Sequence, residues 1–154
     1  MNISAPFIPQ FFEKQLLQVL PYCDIVIGNE TEAEAWASVA GLPDKKNLPE
    51  IAKALATLPK SNSSRPRIVV ITQGPQPTLL VSSVEPDSPK IYPVHAVEDD
   101  KIVDTNGAGD AFAGGFMGAF VAGKSLDECV AVGQKMGEMC IQEVSPAVNF
   151  LSLY

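Results

Sequence analysis

The sequence predicts an α/β fold on a mainly parallel sheet. Three observations carry this. Short apolar runs read as strands buried on both faces, stretches of helical period separate them, and glycines or prolines mark the joins. The runs Ile25-Val26-Ile27-Gly28 and Ile68-Val69-Val70-Ile71 lack the polar alternation of a half-exposed strand.

In chain order, Ser4 or the following Pro6 and Pro9 can open a helix, in which Ile8, Phe11, Phe12, Leu16, Val19 and Leu20 recur at helical spacing until Pro21. A strand from Asp24 to Gly28 follows. Asn29 is placed to cap a helix reaching about Ala40, with Gly41 as its stop. A second helix over 48–58 has Leu48, Ile51, Ala52 and Leu55 on one face. Ser61 to Pro66 reads as an exposed loop. A strand over 67–72 ends in the turn Gln73-Gly74-Pro75, and further strands are expected over 78–83 and 90–94. Ile102-Val103 is expected to lead as a strand end into a glycine-rich loop, followed by helices over 108–122 and 125–143. Phe112, Phe116 and Phe120 are expected to share a face of the first of these. Leu126, Val130, Gly133, Met136, Gly137 and Cys140 line the second, and Gly114, Gly115 and Gly118 read as sites of close helix packing. No internal repeat or second domain is evident.

With 154 residues, 46% hydrophobic and 19% charged, the chain has the make-up of one globular domain able to bury roughly two-thirds of its unfolded surface. A net charge of −7 with scattered basic residues argues against nucleic acid as a partner. No apolar run approaches the ~20 residues of a membrane helix, and the first residues lack the pattern of a secretory signal. Cys23, Cys129 and Cys140 have no CxxC spacing and suit a reducing, cytoplasmic setting. His95 is the only histidine and lies in a strand-like stretch, which disfavours a multi-histidine zinc site or a Ser/His/Asp triad.

The strongest chemical signal is Asp104-Thr105-Asn106-Gly107-Ala108-Gly109-Asp110. Residues with almost no side chain join a loop to a helix start, where unpartnered N–H groups and the helix dipole favour an anion. A carboxylate in the same turn, Asp110, opposes a bound phosphate unless it has a task, and accepting a proton from an attacking hydroxyl is one. On spacing alone, an Asn-Gly hairpin turn with Asp as a helix cap explains the segment equally well. It is neither GxxxxGK[ST] nor a complete GxGxxG.

This segment resembles the D-T-x-G-A-G-D signature of the ribokinase-like (PfkB) carbohydrate and nucleoside kinases. Asn29 and Glu32 in Gly28-Asn29-Glu30-Thr31-Glu32 resemble the family's N-x-x-E motif, and Thr72-Gln73-Gly74 its nucleotide-contacting turn. The wording of Met1 to Ile8, of the GNETEA run and of DTNGAGDAFAGGF is nearest to the branch that phosphorylates adenosine. The resemblance runs from residue 1 to about 144. It implies a ribokinase-like three-layer fold, incomplete here because the N-terminal strands and lid have no counterpart.

The resemblance further implies transfer of the ATP γ-phosphate to the 5′-hydroxyl of adenosine, giving AMP for purine salvage, within a fuller enzyme. Asp110 would be the catalytic base, and the amides of Gly107, Ala108 and Gly109 the anion hole. Thr72, Gly74 and Gln134 would bind ATP. Asn29 and Glu32 would act through water on Mg²⁺ and the phosphates, with no direct metal ligand. Read without the family, Glu30, Glu32 and Glu34 are a solvated first helical turn complementing the dipole, Thr72 and Gly74 a strand-ending turn, and Gln134 a solvent-facing helix residue. Three departures stand out: Glu98-Asp99-Asp100 replaces a stretch with a base-contacting Gln, Ser145-Pro146 stands where Gly-Pro is common, and Asn149 to Tyr154 is abbreviated. The chain is expected to be inactive alone and to expose apolar surface, while the full-length form is expected to be monomeric, with no membrane partner. The alternatives are a non-catalytic nucleotide- or phosphate-binding fragment and a sugar kinase of the same family.

Overall fold

The computed structural model describes residues 1–143, and the chain divides into two compact units, Met1–Pro93 and a second from Val94 onward. The departures noted at Ser145-Pro146 and at 149–154 lie outside the described residues.

The first unit opens with α1 (Phe7–Phe11), α2 (Glu13–Val19) and a 3-10 turn, Leu20–Tyr22, where one continuous helix was expected. The break is at Phe12, whose φ of −123° and ψ of 30° leave the helical region. Breaking there resets the helical phase, so the apolar residues do not form one stripe. Leu16 and Leu20 are buried, whereas Phe11, Phe12 and Val19 are exposed.

Next come β1 (Ile25–Asn29), α3 (Glu30–Val39), α4 (Leu48–Thr57), β2 (Ile68–Gln73), β3 (Gln76–Ser82) and β4 (Glu85–Tyr92). The sheet order is β1-β2-β3-β4. Among the described strands β1 and β2 pair in parallel, from Ile25 opposite Ile68 to Asn29 opposite Thr72, and Asn2 adds a parallel bridge to Ile27 of β1. The described part of the sheet is therefore mixed, with parallel pairing at β1 and an antiparallel run from β2 to β4. The reason is loop length: Gln73 faces Gln76 and Ser82 faces Glu85 across two-residue turns, which can only reverse the chain. The β1-to-β2 connection carries α3 and α4 and is long enough to cross over. Gly74 supplies the positive φ (55°) of the first turn. Pro86 and Pro89 deprive β4 of ladder donors, which suits an exposed edge.

Val26, Val69, Ile71, Leu79 and Val81 pack with Trp36, Ile51, Leu55 and Leu20 into the core of this unit. Arg67 is also fully buried, although the sequence marked it only as a strand start. Its Nε donates to the Cys23 carbonyl (3.1 Å), Nη1 to those of Leu55 (3.0 Å) and Leu58 (2.7 Å), and Nη2 to those of Leu20 (2.7 Å) and Pro59 (3.1 Å). The guanidinium thus gathers carbonyls at the C-terminal end of α4 and around the 3-10 turn, where a helix dipole favours a cation; those of Leu20 and Leu55 also accept from the Cys23 and Leu58 amides. Burial pulls its pKa below the ordinary guanidinium value, partly offset by Cys23 and the Asp24 carboxylate. It stays protonated, as arginine does in proteins.

In the second unit a 3-10 turn, Asp99–Lys101, precedes α5 (Ala108–Val121) and α6 (Leu126–Ile141). Residues 102–107 form a loop rather than the expected strand end. The Val103 and Asp104 amides both turn to one acceptor, the Ile141 carbonyl, at 2.8 and 3.2 Å. The α5–α6 hairpin turns at Gly123 (φ 76°), and Ser125 with Glu128 forms a capping box at the start of α6. Phe112 and Phe116 stack at 6.3 Å in the interior, but Phe120 is 41% exposed. Each step of four residues advances about 40° around a helix, so two steps carry Phe120 off the face that Phe112 occupies. Close packing holds for Gly115, where an added Cβ would meet Met136 Cγ at 2.7 Å and the Val132 carbonyl at 3.0 Å. It does not hold for Gly114 and Gly118, which face open space. Gly133 lies against Phe112, with the ring 3.0 Å from where its Cβ would stand. His95 is exposed, and no described helix is long and apolar enough to cross a membrane.

Candidate active site

The sequence-derived site residues fall into two groups, one in each unit. In the first unit, Asn29 and Thr72 are opposite one another at the carboxyl ends of β1 and β2. Carboxyl ends of parallel strands are where open α/β sheets bind ligands. Thr72 is half-buried, with its Oγ1 3.5 Å from the Gly28 carbonyl, and Gly74 is exposed in the turn that follows.

Asn29 caps α3. Its Oδ1 accepts from the Glu32 amide (2.9 Å), while the Glu32 carboxylate accepts from the Asn29 amide (3.0 Å) and from Asn29 Nδ2 (3.1 Å). This reciprocal box satisfies two donors that a helix start would otherwise leave open. Glu32 is only 5% exposed, so it is not part of a solvated first turn. Gly28 makes room for it: an added Cβ would come within 3.0 Å of Glu32 Oε2 and 3.1 Å of Ile3 Cδ1. With both carboxylate oxygens already engaged by Asn29, the pair suits a magnesium ion that keeps its own waters better than direct ligation, since Mg²⁺ surrenders water reluctantly. Among the described residues, no three His, Cys, Asp or Glu side chains are grouped to hold a metal.

In the second unit the loop 104–107 runs into α5. Asp104 Oδ1 accepts from the Asn106 amide at 2.9 Å, which folds the loop back on itself. Gly107, the residue before the first helical turn, has φ 79°, a conformation that penalises any side chain. Gly107 and Gly109 are exposed, and among the described residues their amides meet no protein acceptor. The Ala108 amide is 3.4 Å from the Thr105 carbonyl, at the long limit of a hydrogen bond. Asp110, in the first turn of α5, is exposed. A 14-residue helix thus points its positive end at solvent through glycine amides, with a carboxylate beside them. Gln134 is half-buried on α6, next to the Gly133 that packs on Phe112.

Sequence reasoning missed what lies beneath the loop. The Cys140 thiol donates to the Asn106 carbonyl at 3.6 Å, and a Cβ on Gly107 would stand 3.6 Å from the same sulfur. The contact spans 34 residues, so no local pattern announces it.

The glycine-rich loop with an adjoining acid at a helix start, and the capped Asn-x-x-Glu turn at a sheet's carboxyl edge, are the two features on which the resemblance to the PfkB family rests. Residues 1–151 match the pfkB family carbohydrate kinase, and the chain belongs to that family. Among individual proteins it is similar to adenosine kinases. It is 53% identical to that of Schizophyllum commune over 146 residues, covering 95% of this chain and 42% of the relative. It is 44% identical to that of Schizosaccharomyces pombe (strain 972) over 142 residues, covering 92% and 41%. The crystal structure of Anopheles gambiae adenosine kinase in complex with P1,P4-di(adenosine-5) tetraphosphate superimposes with a TM-score of 0.90 at 43% identity, covering 94% of this chain and 42% of that one. The fold is therefore ribokinase-like, and the chain spans about two-fifths of the length of these relatives.

Proposed function

We propose that this chain is the catalytic and nucleotide-binding portion of an enzyme that transfers the ATP γ-phosphate to the 5′-hydroxyl of adenosine, giving AMP and ADP. The observation that carries the reading is the exposed Asp110 carboxylate in the same helical turn as the exposed Gly107 and Gly109 amides. Asp110 accepts the hydroxyl proton as the 5′-oxygen attacks the γ-phosphorus. The bond to the bridging β–γ oxygen breaks, and ADP leaves. The amides of Gly107, Ala108 and Gly109 receive the charge on the transferring oxygens, the Ala108 amide after releasing its long contact to Thr105. Thr72, Gly74 and Gln134 hold ATP.

Magnesium, when bound, neutralises phosphate charge. Asn29 and Glu32 would hold it through its waters, their own geometry set by the capping box. The proposed setting is cytoplasmic purine salvage by a monomeric full-length enzyme. The family match, the similarity to adenosine kinases and the geometry at Asp110 support this reading.

The test is transfer of radiolabel from γ-labelled ATP to adenosine. It is run on this chain and on a chimera in which the chain replaces the matching part of the Schizophyllum commune relative. The chimera should turn over and the isolated chain should not, and Asp110→Asn in the chimera should lose about 10²–10⁴ in kcat. Near-normal turnover by the Asn variant would overturn the base assignment. A chimera that phosphorylates a sugar in place of adenosine would overturn the substrate.

A further inference from the structure

One face of α6 follows the glycine-rich loop step by step. At Gly137 a Cβ would stand 3.5 Å from the Ala108 carbonyl. One turn further, the Cys140 thiol meets the Asn106 carbonyl and the open side of Gly107. The next residue, Ile141, offers its carbonyl to the amides of Val103 and Asp104. Positions 137, 140 and 141 are neighbours on one helical face, and together they touch the loop from 103 to 108. Two independent kinds of contact are involved, backbone hydrogen bonding at Ile141 and side-chain packing at Cys140.

We infer that the last two turns of α6 set the position of the Gly107–Gly109 amides, with Cys140 as the positioning residue in that contact. The inference rests on the proposed reading of those amides as the anion hole. Gly107 has no side chain of its own to lock the loop, and its left-handed φ is shared by few residues, so an external support decides where its amide points. Cys140 is almost fully buried, and sulfur adapts to an irregular gap at little cost. A larger side chain there would press on Asn106 and Gly107, because the loop is the nearest element able to yield. Donor geometry at an anion site tolerates little displacement.

The experiment follows backbone amide resonances of this chain with and without inorganic tripolyphosphate, in wild type, Cys140→Ser and Cys140→Leu. Without ligand, Cys140→Leu should shift the resonances of residues 103–109 while leaving those of Phe116 and Val130 in place. With ligand, it should weaken binding about tenfold, the weight of one charge-assisted hydrogen bond. Cys140→Ser should stay close to wild type in both. Where the Leu variant does not fold, Cys140→Ala replaces it, with about threefold weaker binding expected. Unmoved loop resonances, or moved resonances with unchanged affinity, overturn the inference. Loop resonances that move in the variant while wild type shows no response to tripolyphosphate overturn instead the anion-hole reading and leave the mechanical support standing.

Discussion

Replacing Arg67 with Met should bring the first unit close to unfolding. All five guanidinium N–H groups end on carbonyls, and two of these, Leu20 and Leu55, form fully buried bonds. Methionine fills a similar volume but donates nothing. The Leu20 and Leu55 carbonyls keep the Cys23 and Leu58 amides as donors (3.0 and 3.4 Å), so what is lost there is two hydrogen bonds to a charged group, about 1.5–3 kcal/mol each. Water can reach the carbonyls of Cys23, Leu58 and Pro59, whose bonds are only partly buried, and the variant escapes the cost of burying a charge. The expected net loss is about 3–5 kcal/mol, against a typical domain stability of about 5–15 kcal/mol. Arg67→Lys keeps the charge and three donors but loses the planar fork, and should fall between the two at about 2–3 kcal/mol. Urea unfolding followed by Trp36 fluorescence reads this directly, because Trp36 is the only tryptophan and lies in the same core. A Met variant within about 1 kcal/mol of wild type, or a Lys variant less stable than it, would refute the account of Arg67 as a fivefold helix-end cap.

Glycines three apart on α5 should respond with opposite sign. Gly118→Ala enters open space and should stabilise by up to about 1 kcal/mol through helix propensity, whereas Gly115→Ala meets the Val132 carbonyl and should cost about 1–3 kcal/mol; paired thermal melts decide. The hydrogen bond from Lys60, aided by Arg65, holds the Asp24 carboxyl below the usual carboxylate range. Its stabilising contribution is then present above the unfolded carboxylate pKa and lost as pH falls through the lower folded value. Asp24→Asn should therefore lower the urea midpoint at pH 7, with the gap closing toward pH 3. Burial pushes the Cys129 thiol up, and Cys140 is nearly inaccessible, so iodoacetamide at pH 8 should label half-exposed Cys23 first, as peptide mapping would show.

Much of the local structure was legible from neighbouring residues. Asn29 three residues before Glu32 announced the capped start of α3, and Gly41 and Gly74 marked turns that do have positive φ. The extents of α4, α5 and α6 followed from apolar period, with Gly107 and Gly123 flanking α5. Each of these signals acts within one helical turn, so a short window contains both the cause and its partner. The break at Phe12 was not legible, because an unbroken apolar period over 8–20 fits a single helix as well as two. The extent of β4 was also hidden, since two prolines in an edge strand look like loop.

The sequence by itself determined the family motifs, their order and the side-chain-poor corner at Gly107 to Gly109, because these are properties of consecutive residues. The tertiary structure alone decided that Arg67 bridges two helix ends, that Glu32 is buried and bonded to Asn29, that Phe120 leaves the core, and that three of the four strands form an antiparallel run. It also placed Cys140 and Ile141 beneath the loop. These facts depend on where the chain returns after tens of residues, and on which carbonyls are left without donors when it does. Chain return is a property of the packed whole, so no stretch of sequence holds it.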